Sequence, residues 1–137
     1  MDAWKLHEKR LAYLFGGKRV AGSGCGYRKG DIWIGKDWMV ECKTTGKQQF
    51  RLTVNMLDKL AKQSLESGLS AALVVVFHHS YEHQQMLVLV LHRRREGDAD
   101  WRSRIVSPGS LRPGETVLSR YGEWTVMDIE QFRQMLY

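Results

Sequence analysis

Apolar positions recur along the chain with two different periods, and the alternation between them predicts the order of elements. Trp4, Leu11 and Phe15 fall on one stripe of a helical wheel, which predicts a first helix from Asp2, a capping type, to about Phe15, ended by Gly16 and Gly17. Glu8 lies at the edge of that stripe. A short strand is expected over Lys18 to Ala21, then a glycine-rich loop from Gly22 to Gly30. Ile32, Ile34, Val40 and Cys42 alternate with polar residues around Gly35, Lys36 and Asp37. If those three residues form a hairpin loop, Ile34 faces Trp38 and Asp31 faces Glu41. Thr44 to Phe50 reads as a polar connection, and Arg51 to Val54 extends a strand or leads into a helix.

Met56, Leu57, Leu60, Ala61 and Leu65 then return to helical spacing, predicting a helix from about Asn55 to Ser67 that stops at Gly68. Ala71 to Phe77 and Met86 to Leu91 are unbroken apolar runs of buried-strand length. Between them lies a polar turn with His78, His79, Tyr81, Glu82 and His83. The stretch from Arg93 to Glu123 holds both prolines and many arginines, and reads as long basic loops with a short strand near Ile105. Trp124 to Met127 reads as a strand, and Asp128 with Gln131 forms a capping box for a helix through Leu136. Helices interspersed with strands predict a mixed α/β sandwich.

Length makes this one domain over residues 1–137, since 137 residues bury one good core but not two. A hydrophobic fraction of 43% excludes a disordered chain. No apolar run reaches membrane-spanning length, and Met1 to Arg10 carries no hydrophobic signal region, so a cytoplasmic, intracellular protein without a membrane partner is expected. Cys25 and Cys42 are too few for a disulfide scaffold or an all-thiolate zinc site. Charge narrows the class further. The net charge of +6 is concentrated in Lys5, Lys9, Arg10, Lys18, Arg19, Arg28 and Lys29, opposed there only by Glu8. Such a basic field suits a polyanion such as nucleic acid.

The hairpin register places Asp31 and Glu41 on one face, and period two adds Lys43 to it while Cys42 turns to the core. Carboxylates directly opposed in a sheet repel by roughly 0.2–1 kcal/mol, so the pair points to a bound cation. Phosphodiester hydrolysis needs charge stabilisation, an activated water and a protonated leaving oxygen. Asp31 and Glu41 supply hard oxygen ligands for Mg²⁺, with the Cys42 backbone carbonyl as a third. Lys43 orients the water or neutralises the phosphate, and Glu8 completes the outer shell.

Glu8, then Arg19, Ala21, Gly22 and Ser23, then Gly30-Asp31, then Glu41-Cys42-Lys43 resembles the PD-(D/E)XK nucleases, and among them the archaeal-type Holliday junction resolvases. The helix with Leu57, Leu60 and Gln63, running into Ala71 to Phe77, looks like the next two elements of that fold. The likeness covers about the first 77 residues; Gly30 stands where the family usually has a proline that ligates no metal. It implies a restriction-endonuclease-like mixed central sheet flanked by helices. It also implies a homodimer that cuts branched double-stranded DNA with Mg²⁺, for which Mn²⁺ substitutes. Carried over by residue, Asp31 and Glu41 are metal ligands, Lys43 is the catalytic lysine, Glu8 is the helix carboxylate, and Arg19 and Ser23 contact the DNA backbone.

Lys9, Arg10, Arg28 and Lys29 extend that DNA surface through the basic field, and Arg93 and Arg95 extend it from the later basic region. Trp101, Arg102 and Arg104 there mix stacking with charge, a combination that suits a splayed base but equally a solvated loop paired with Glu96, Asp98 and Asp100. The histidines of the turn read as an exposed polar hairpin rather than a zinc site, because helical spacing does not apply there. Two alternatives remain at this stage. One is a PD-(D/E)XK nuclease acting in restriction, repair or flap cutting; the other is a non-catalytic DNA-binding module of the same fold.

Overall fold

The computed structural model describes residues 20–21, 31–34, 37–80 and 82–136, with residues 20–21 and 31–34 and His83 described by backbone alone. The expected first helix with Glu8, Lys9 and Arg10 lies outside these residues, as do Arg19, Ser23, Cys25, Arg28 and Lys29. The described strands are β1 (Val20–Ala21), β2 (Asp31–Ile34), β3 (Trp38–Thr44), β4 (Phe50–Thr53), β5 (Ser70–Val76), β6 (Met86–Arg94), β7 (Ser103–Val106), β8 (Thr116–Leu118) and β9 (Gly122–Met127). The helices are α1 (Val54–Ser67) and α2 (Ile129–Leu136).

Seven strands form a mixed sheet in the order β1-β2-β3-β5-β6-β9-β8, and β4 and β7 pair apart from it as a two-stranded ribbon. β2 and β3 are antiparallel, and α1 then carries the chain across to β5, which runs parallel to β3. Antiparallel pairing continues from β5 through β6 and β9 to β8.

Alternation along the strands sends side chains to two cores. Val40, Cys42, Val74, Val88 and Val90 pack with Ile129 and Phe132 of α2. Trp38 closes that layer edge-on to Phe132 at 5.4 Å between ring centroids. On the opposite face Met39, Leu73, Val75, Leu89 and Trp124 pack with Leu57, Leu60 and Ala61 of α1. The result is a three-layer mixed α/β fold.

Local chemistry sets the helix ends. The Thr53 hydroxyl accepts from the Met56 amide at 3.1 Å, capping α1. At the other end Gly68 takes φ 69°, its amide reaching the Leu65 carbonyl while the Leu69 amide reaches that of Ser64. This paired closure needs a left-handed residue, which glycine supplies without Cβ strain. Asp128 and Gln131 bond reciprocally, at 2.8 and 3.3 Å, in the capping box expected for α2.

The strand alternative for Arg51 to Val54 holds over Arg51 to Thr53, with Val54 opening α1; Phe50 leaves the expected connection and joins the strand, because Ser103 to Val106 pairs with it from 50 or more residues away in the chain. The stretch from Arg93 to Glu123 is mainly loop, and the short strand expected near Ile105 is β7. It holds the end of β6, then β7, β8 and the start of β9. Among the described residues no helix is long and apolar enough to cross a membrane.

Candidate active site

The hairpin fixes the site. Ile34 pairs with Trp38, Trp33 with Met39, Ile32 with Val40 and Asp31 with Glu41, the register that a three-residue loop dictates. Asp31 is thus the first described residue of β2, and among the described residues Cys42 and Lys43 continue β3 beyond it beside β5 alone. Glu41 and Lys43 share the α1 face with Met39, whereas Cys42 is buried among the valines of the α2 face.

Lys43 Nζ lies 3.0 Å from Glu41 Oε1. The carboxylate is the more enclosed partner, at 18% side-chain exposure against 38% for the lysine. The ammonium pairs with Glu41 at the margin of an apolar layer while retaining N–H donors for an incoming phosphate oxygen or water. Burial pushes the Cys42 thiol well above its ordinary range, the Glu41 charge adding to the rise and Lys43 opposing it. Buried among the valines, that thiol is withdrawn from solvent and favours its neutral form.

The loop after β3 is tied to the turn after β5. His78 and His79 adopt φ of 54° and 50°, with their amides donating to the carbonyls of Lys47 and Thr45 at 3.2 and 3.0 Å. The left-handed backbone costs a non-glycine residue on the order of 1 kcal/mol, offset here by bonds that fix the loop just beyond Lys43. The His79 ring lies against Gly46, where a Cβ would stand 3.1 Å from Nε2. Among the described residues no group of three or more His, Cys, Asp or Glu comes together as a metal cluster. The Glu82 side chain bonds Gln84 in the exposed turn.

The arginines of the later basic region separate into different tasks. A bulge between Leu91 and Arg93 puts Arg93 opposite Glu123, and Glu123 alternates with buried Trp124, so Arg93 occupies the face away from Glu41. Arg94 reaches back to α1, donating to the Ala61 carbonyl and the Ser64 hydroxyl, both at 2.9 Å. Arg95 donates to the Ser119 carbonyl at 2.6 Å and the Asp98 carbonyl at 3.3 Å. It holds loops together. Trp101 donates its indole N–H to the Leu118 carbonyl at 2.8 Å, and Arg104 stacks on its ring at 4.8 Å.

Sequence reasoning passed over Lys47 and Arg51, exposed beside this region. The signal was the alternation of Phe50, Arg51, Leu52 and Thr53, which puts Leu52 in the core and Arg51 outside. Neither a family model nor a curated protein matches the chain.

Proposed function

We propose that this protein is a Mg²⁺-dependent DNA endonuclease of the PD-(D/E)XK type, acting as a homodimeric Holliday junction resolvase on branched duplex DNA. The observation that carries the reading is the Asp31–Glu41 register with Lys43 salt-bridged to Glu41 on the same strand. The order of hairpin, crossover helix and parallel strand agrees with the elements that the sequence resemblance implies.

The donor chemistry fits a hard cation. Two carboxylate positions in register against one ammonium leave net negative charge, and oxygen ligands suit Mg²⁺. Asp31, Glu41 and the Cys42 carbonyl would hold the ion, with Glu8 in its outer shell. When bound, the ion supplies charge stabilisation at the phosphate and lowers the pKa of water. The chain's own contribution is positional: Glu41 orients the Lys43 ammonium, and Lys43 donates hydrogen bonds to the phosphate or aligns the attacking water.

Cutting of a four-way junction, a flap and a linear duplex of matched sequence tests the substrate. Paired symmetric nicks confined to the junction are expected. Equal cutting of the linear duplex would remove the junction selectivity, and a monomer both free and on DNA would contradict coordinated two-strand resolution.

A further inference from the structure

The β4–β7 ribbon presents a cationic surface on the side of the sheet that carries Glu41. Leu52 and Val106 anchor it in the same apolar layer as Met39, Leu73 and Val75. Its charged positions are exposed and one-signed: Arg51 lies on the outer face with Ile105, Arg104 on the face of Leu52 and Val106, Arg102 just before β7, and Lys47 in the loop that leads to the ribbon. Residues 45–53 and 101–107 contain no aspartate or glutamate. Ile105, 49% exposed, pairs with Arg51 on the outer side.

We propose that this ribbon is a DNA-backbone-binding arm, in which Arg51 from its outer face and Arg102 and Arg104 contact duplex phosphates. The proposal rests on the nuclease reading for its substrate and adds to it a surface outside the basic N-terminal field. Three features support it. A two-stranded antiparallel ribbon has the dimensions that the major groove of B-form DNA admits. Arg104 is stacked 4.8 Å above Trp101, whose indole N–H donates to the Leu118 carbonyl, so the guanidinium rests on an anchored ring. Arg51 Nη1 donates to Ser103 Oγ at 3.3 Å, ordering the guanidinium of the outer face. Trp101 therefore supports an arginine on one face of its ring. The neighbouring arginines are otherwise committed, since Arg94 holds α1 and Arg95 holds the Ser119 loop.

Phosphate contacts of this kind are sequence-independent and release counterions, so the arm is read in the salt dependence of binding. The test is fluorescence anisotropy with a labelled linear duplex and a labelled four-way junction, using full-length Glu41→Gln protein as the reference. The combined Arg51→Gln, Arg102→Gln, Arg104→Gln variant is expected to flatten the slope of log affinity against log salt by about one unit per arginine. Lysine at the same positions should restore the slope, separating charge from folding. Arg102→Gln alone should remove about one unit, should the combined variant fail to fold. An unchanged slope in the glutamine variants would overturn the ribbon assignment while leaving the nuclease reading intact. Absence of binding by the reference protein at low salt would overturn both. Stronger ribbon-dependent binding of duplex RNA would overturn the choice of DNA.

Discussion

The Lys43 ammonium stands 3.0 Å from the Glu41 carboxylate, two residues away on the same face of β3. The pair is only partly enclosed, so its contribution to stability is small, at most about 1 kcal/mol after solvent screening. Its contribution to chemistry is expected to be large. Lys43→Ala should lower single-turnover cleavage by at least about 100-fold while shifting the urea midpoint little. Equal fractional losses of stability and cleavage would make Lys43 structural.

Arg93 and Arg94 are neighbours with opposite roles. Arg94→Ala removes two hydrogen bonds, one of them to the fully buried Ser64, and should cost about 1–3 kcal/mol. Arg93→Ala, at an exposed position on the other face, should stay within about 0.5 kcal/mol. Denaturant unfolding of the two variants measures the contrast.

Trp124 and Ser119 are both fully buried, and the indole N–H donates to the Ser119 hydroxyl at 3.0 Å. Ser119→Ala leaves that donor without an acceptor and should destabilise by about 1–3 kcal/mol. Gly122 closes the same corner, where a Cβ would stand 2.5 Å from Leu91 Cδ1 and 2.9 Å from Trp124 Nε1. Gly122→Ala should therefore also destabilise, by about 1–3 kcal/mol through overpacking, as thermal unfolding would show.

Cys42 provides a pH prediction. Burial raises its folded-state pKa above the ordinary value of 9.0, so above that pH the unfolded chain loses a proton that the folded chain keeps. Stability from this group is complete below pH 9.0 and declines as pH rises beyond it, by up to about 1.4 kcal/mol per unit. Cys42→Ala should flatten that decline. In the native protein at neutral pH, alkylation of Cys42 should proceed only through opening of the core.

The candidate site was legible where local rules act alone. Loop length between Ile34 and Trp38 set the Asp31–Glu41 register, and alternation assigned Lys43 and Cys42 to opposite faces. Gly68 and the Asp128–Gln131 box marked helix ends by short-range hydrogen bonding. Elements formed by distant pairing were legible only in part: a short strand near Ile105 and a strand option over Arg51 to Val54 were expected, whereas β8 was not. In β4 only Leu52 is fully buried and in β8 only Val117, so neither strand carries enough apolar signal apart from its partner. Arg94 and Arg95 belong to an arginine run whose division between helix anchoring and loop closure depends on the bulge after Leu91. Charge patterning does not encode that bulge.

The most direct test is cleavage of a labelled, immobile four-way junction in Mg²⁺ by the wild-type protein and by Glu41→Gln, with junction binding measured in parallel. The account predicts cleavage by the wild type, loss of at least about 100-fold in Glu41→Gln, and retained binding in both. Cleavage by Glu41→Gln at the wild-type rate, or no cleavage by the wild type despite junction binding, would contradict it.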